Sequence, residues 1–178
     1  TEESTVATAR EIKRRIQSVR NMGQVTNALQ AVSASKVRKA QEAVLGTRAY
    51  AHAAWEVIVN LGGTADPSLH PLLAHEGSGD DVLVILVSGD RGLCGAYNHN
   101  VLQTTLEFAR SLDRSVRYIT IGQKGRDLVW RLGEQIVAYF HDLPVVPSLD
   151  DISPIARTAV DEFLEGGVGE IYVAYSEF

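Results

Sequence analysis

One cysteine, Cys94, is the whole complement, so no internal disulfide can staple this chain. No proline precedes Pro67 and no aromatic residue precedes Tyr50. The first absence removes the strongest helix breaker from the N-terminal third. The second leaves that third without the stacking platforms used to hold single-stranded nucleic acid. No apolar run reaches the roughly 18 residues needed for a membrane-spanning helix, which excludes direct membrane insertion by such a segment. The opening TEESTVATAR lacks the apolar core of a secretory signal.

What is present is unevenly charged. The 178 residues carry a net −5, but residues 1–60 hold +4 and residues 61–178 hold −9. Between residues 10 and 48, nine Lys or Arg stand against two acids, Glu11 and Glu42. Such a run is ordinarily a solvated helix face. Here its one-sided charge weakens an isolated helix slightly and fits an acidic partner surface.

Residues 1–62 are expected to form one long helix of about 50 residues, on the order of 75 Å. Ala, Gln, Glu, Arg and Lys dominate it, with Gly23 and Gly46 the only glycines before Gly62. Apolar residues recur at Ile12, Ile16, Val19, Met22, Val25, Leu29, Val32, Val37, Ala40 and Val44, a mean step of about 3.6 residues. The stretch ALQAVSASKVRKAQEA, 28–43, is rich in small residues that admit a second helix closely. No other segment has a helix of matching length. The stripe is therefore expected to be covered by another chain or by further sequence.

Residues 63–80, with prolines and glycines, read as a linker. Residues 81–178 alternate strands and helices. DVLVILVS (81–88), RYITIG (117–122), QIVAYF (135–140) and EIYVAYSEF (170–178) read as strands. Helices are expected at about 96–112, at 124–132, and from a cap at Ser148 or Asp150 through Leu164. This pattern predicts an α/β fold, a Rossmann-like, mostly parallel sheet with flanking helices. The C-terminal strand is expected to be completed by further sequence.

The turn after the first strand, VSGDRGLCGAYNHN (87–100), has the look of an active site. Its glycines, Gly89, Gly92 and Gly95, are spaced G-x-x-G-x-x-G, which matches neither the dinucleotide fingerprint nor the P-loop. Asp90 would repel a phosphate held there. Cys94 has His99 nearby but no third group to orient it, so a small buried packing cysteine is the expectation. His52, His70, His75, His99 and His141 show no metal-ligand spacing. What remains is a polar turn, drawn tight by glycine, displaying Asp90 and Arg91. The guanidinium of Arg91 suits a carboxylate on a partner. An α/β enzyme using the Gly89–Gly95 loop is the competing reading. A nucleic-acid binder working through the basic helix is a third, opposed by the missing aromatics and net acidity.

Two stretches carry a resemblance. REIKRRIQSVRNMGQVTNALQAVSASKVRKAQ, Arg10–Gln41, resembles the N-terminal signature of the F-type ATP synthase γ subunit family. SGDRGLCGAYN, Ser88–Asn98, resembles that family's second hallmark at the expected distance. Asn27 stands where the family commonly has lysine, and Leu29 near its usual methionine. Family members continue past Phe178 with more sheet and a long helix, which pairs with the N-terminal one as an antiparallel coiled coil.

The resemblance implies a non-catalytic central-stalk rotor without a cofactor or metal of its own. Nucleotide and Mg²⁺ would bind in a hexamer of α and β subunits. Further partners would be the ε subunit and the membrane c-subunit ring. The location would be peripheral, on the cytoplasmic face of a bacterial plasma membrane or the equivalent face of another energy-transducing membrane. By the family's motifs, Lys36, Arg38, Lys39 and Arg91 would contact β. Leu29 and Val32 would pack the shaft, and Gly89, Gly92 and Gly95 would shape the loop.

Overall fold

The computed structural model describes residues 9–66, 68, 70–73 and 77–177, so part of the expected linker and His75 lie outside the described residues. The chain divides into two units, one ending at His52 and the other beginning at Ala53.

A single helix, α1 (Ala9–Thr64), spans 56 residues. No proline interrupts it, and nothing crowds Gly23 or Gly46. Each glycine then costs a helix about 1 kcal/mol relative to alanine. Thr26, Thr47 and Thr64 turn their hydroxyls back onto carbonyls four residues earlier, at 2.9, 3.0 and 2.7 Å. None of the helix's residues is buried.

The α/β body follows as β1 (Asp81–Val87), α2 (Tyr97–Ser111), β2 (Val116–Ile121), α3 (Gln123–Arg131), β3 (Gln135–Phe140), α4 (Leu149–Leu164) and β4 (Val168–Ala174). Every pairing is parallel and the strand order is β3-β2-β1-β4. Alternation along β1 splits the core. Val82, Val84 and Leu86 join Tyr118, Leu102 of α2 and Val129 of α3 on one face. Leu83 joins Ile119, Val168, and Ile155 and Ala159 of α4 on the other. A parallel sheet covered on both faces needs such continuous apolar strands.

The start of α4 follows side-chain chemistry. Ser148 caps α4 in a reciprocal box: Asp151 N–H donates to Ser148 Oγ at 3.3 Å, and Ser148 N–H donates to Asp151 Oδ2 at 2.8 Å. The Ser148 hydroxyl and amide hold the Asp151 carboxyl below its usual range. β4 begins and ends earlier than the 170–178 expected from sequence. Val168 is fully buried opposite Asp81, and Ala174 opposite Leu86 is the last paired residue, one residue short of the end of β1.

The opposite end of the sheet is pinned by ions. Arg117, on β2, forms ion pairs with Glu162 at 2.7 Å and with Asp81 at 3.2 Å, and its guanidinium also donates to Gly166 O. Arg114 holds Glu170 at 2.6 Å. Arg114 and the Tyr172 hydroxyl, which donates to Glu170 at 2.5 Å, keep that carboxyl below its usual range, Tyr172 contributing more.

Candidate functional site

Two surfaces carry the residues singled out by sequence, one in each unit. On α1 the apolar stripe faces solvent along its length: Leu29 and Val32 are each 54% exposed. Lys36, Arg38 and Lys39 are exposed on the same helix, and their side chains have no hydrogen bond or ion pair to any described residue. A helix this long with an unburied stripe and unpaired cations stays stable mainly when a partner covers it.

The second surface is the β1–α2 turn, residues 88–96. It is laced to its neighbours by the tripeptide Ser88-Gly89-Asp90. Helix α3 starts after Gly122, which has no side chain to cap it. Its first three N–H groups, which no helix can satisfy internally, are met instead by that tripeptide. Gln123 N–H donates to Asp90 Oδ1 at 2.9 Å, Lys124 N–H to Gly89 O at 3.0 Å, and Gly125 N–H to Ser88 Oγ at 2.8 Å. The Ser88 hydroxyl in turn donates to Ile121 O at 3.0 Å.

The second carboxylate oxygen of Asp90 accepts the Asp142 N–H at 3.0 Å, reaching the β3–α4 loop. Asp90 is therefore turned inward as a brace, and the expectation that the turn displays it is corrected. A carboxylate at a helix N-terminus also interacts favourably with the helix dipole.

Asn98, in the first turn of α2, closes the loop from the other side. Its Oδ1 accepts Gly89 N–H at 2.8 Å and its Nδ2 approaches Cys94 Sγ at 3.1 Å. Gly89 N–H is thus already used within the fold.

The three glycines differ in role. A Cβ on Gly89 would sit 3.2 Å from Asn98 Oδ1, while Gly95 has φ +59, the left-handed region that glycine tolerates best. Gly92 has open space around it.

Arg91 lies exposed at the tip, and its guanidinium has no partner among the described residues. Two residues on, Leu93 is fully exposed and itself left-handed, φ 63. Cys94 is exposed as well, which corrects the expected buried cysteine. Residues 91–96 are all exposed, so the turn has no core of its own for the thiol to enter.

His52, His70, His99 and His141 are all exposed. Among the described residues no three His, Cys, Asp or Glu are grouped as a metal site. No helix of the described residues is long and apolar enough to cross a membrane.

Sequence reasoning missed the roles of Ser88, Asp90 and Asn98. The available signal was a Ser-Gly-Asp tripeptide at the C-terminal end of a buried strand, where neighbouring βα turns meet.

Fold and surfaces define the class: a parallel α/β body with a long helix whose apolar stripe lies open. The ATP synthase family profile matches residues 8–178. The chain is 41% identical to the ATP synthase gamma chain of Herpetosiphon aurantiacus, covering 97% of this chain and 62% of the relative. It is 39% identical to that of Desulfitobacterium hafniense, covering 97% and 61%. The rotor of the Euglena gracilis mitochondrial ATP synthase shares the fold, with TM-score 0.52 and 14% identity over 83% of this chain and 51% of that one. The chain belongs to the ATP synthase γ chain family. It spans about three-fifths of the curated relatives it matches.

Proposed function

We propose that this chain serves as the central-stalk rotor subunit of a proton-translocating ATP synthase. The observation that carries the proposal is the open stripe of α1, Ile12 to Val44, with cations alongside it and no buried residue in the whole helix. Family membership supports the same reading. In it, residues 1–62 form half of a coiled-coil shaft standing in a hexamer of α and β subunits. Residues 63–80 link that shaft to the α/β domain, 81–178, which sits against the ε subunit and the c-subunit ring. The complex would hold the chain peripherally on the cytoplasmic face of the membrane, or its equivalent.

Nucleotide chemistry belongs to the hexamer, and this chain acts by differential contact. To shift a β subunit between conformations, the rotor must bind one of them more favourably than the others. Lys36, Arg38, Lys39 and Arg91 supply such contacts to acidic side chains, while Leu29 and Val32 pack the shaft. Gly89, Gly92 and Gly95 shape the turn that carries Arg91.

The test is Arg91→Ala in the assembled complex. The guanidinium has no internal partner, so the fold survives within about 0.5 kcal/mol. ATP-driven proton pumping falls relative to ATP hydrolysis. Unchanged pumping per ATP would refute the Arg91 contact. Robust ATP hydrolysis by the chain free of α and β would refute the rotor reading altogether.

A further inference from the structure

We infer that Asp90 is a positioning residue that makes the Arg91 turn a rigid strut, so that force at Arg91 reaches the sheet. This rests on the rotor reading proposed above.

A charged side chain on a mobile turn transmits little, because the turn yields before the body moves. Here the residue before Arg91 ties three loops into one layer. Asp90 itself belongs to the β1–α2 turn. Its Oδ1 accepts from Gln123, 33 residues on, and its Oδ2 accepts from Asp142, 52 residues on. Both are charge-assisted bonds to backbone amides, the stronger kind.

Backbone bonds run in the same layer: Ser88 N–H to Ile121 O at 2.8 Å, and Gly122 N–H to Phe140 O at 2.8 Å. Asp142 is left-handed, φ 54, and its carboxylate holds His141 Nδ1 at 2.8 Å. His141 stacks on Tyr139, over whose ring lies the Arg126 guanidinium. The far anchor of Asp90 is therefore itself fixed. On the other side, the Asn98 bond to Gly89 keeps the turn from peeling off α2. Among the described residues, the five exposed residues after Arg91 are tied outside their own turn only to the start of α2, through Cys94 and Ala96.

The experiment compares Asp90→Ala, Arg91→Ala and the double variant in the assembled enzyme, with Asp90→Asn as a milder change that keeps one acceptor. Expected for Asp90→Ala is an amide-exchange protection loss of about tenfold at Gln123 and Asp142, equal to one lost hydrogen bond each. Pumping per ATP falls, by about half or more on the scale of the Arg91→Ala defect, and the double variant is no worse than Arg91→Ala alone. Asp90→Asn falls between, and serves if Asp90→Ala fails to fold.

That non-additivity separates positioning from a general loss of stability, which would add. Additive defects, or full pumping in Asp90→Ala while Arg91→Ala is impaired, overturn the inference and leave the rotor contact standing. Full pumping in Arg91→Ala overturns the contact itself, whatever Asp90→Ala does.

Discussion

Replacing Ser88 by alanine removes one oxygen from the junction that holds the β1–α2 turn to α3. Gly125 N–H, buried and third in its helix, then loses its acceptor at 2.8 Å, and Ile121 O loses a donor at 3.0 Å. A buried donor left unsatisfied costs about 1–3 kcal/mol. For a chain of this length that lowers the melting temperature by about 2–4 °C per kcal/mol.

The neighbourhood allows a sharper version. A Cβ on Gly125 would lie 2.5 Å from Ser88 Oγ, 3.0 Å from Ser88 Cβ and 3.3 Å from Leu86 Cδ2. Gly125→Ala alone therefore overpacks the site, at about 1–3 kcal/mol. Ser88→Ala deletes the atom in the shortest of those contacts, so the double variant should cost less than the sum. Trp130 lies on α3, and its fluorescence in a Trp55→Phe background reports urea unfolding of this region. A cost below about 0.5 kcal/mol for Ser88→Ala, or additivity within about 0.5 kcal/mol, would refute this account of the junction.

Two further predictions concern the body. Tyr118 is fully buried, and burial first, then the Glu134 carboxylate, pushes its phenol up to about 12, with Arg110 opposing. A folded-state value raised above about 10 means that the stability contributed is whole below pH ~10 and is lost as pH rises towards 12. Urea titrations across that window should show a loss of about 2–3 kcal/mol that Tyr118→Phe lacks; parallel curves for the two proteins would contradict it. Glu162→Ala strips Arg117, whose side chain is 11% exposed, of its 2.7 Å partner but leaves Asp81 and Gly166 O. The expected destabilisation is about 1–3 kcal/mol, below a fully broken buried pair because those two remain. Glu162→Gln, keeping an acceptor, should recover part of it, and equal losses in the two variants would argue against the ion pair.

Much of the architecture was legible because its causes are local. The 3.6-residue recurrence from Ile12 to Val44, without proline, predicts a long helix, and α1 is that helix. DVLVILV falls on β1, because a central strand covered on both faces must be apolar throughout, and QIVAYF falls on β3, an edge strand whose residues are only partly buried. Ser148, one of two candidate caps, is the one used, since Asp151 three residues on completes the box.

The loop was less legible. Cys94 read as a buried packing cysteine for want of a catalytic partner, but a turn's burial depends on what the fold brings against it, and Cys94 is exposed. Asp90 read as displayed because it lies in a tight, polar turn. Its two amide partners are 33 and 52 residues away, and no spacing rule connects them.

By itself, the sequence determined which segments are helix and strand and left one helix with an apolar stripe. Hydrogen bonds four residues apart and side-chain alternation are properties of neighbours along the chain. It also placed unbalanced positive charge on that helix. Only the tertiary structure decided what Ser-Gly-Asp is for. Parallel pairing in the order β3-β2-β1-β4 brings the C-terminal ends of β1, β2 and β3 side by side. There, the three amides opening α3 find a serine hydroxyl, a glycine carbonyl and an aspartate carboxylate from the adjacent turn. An unsatisfied helix N-terminus can be met by any acceptor the fold brings near, so its cap came from a strand the chain had left more than thirty residues earlier.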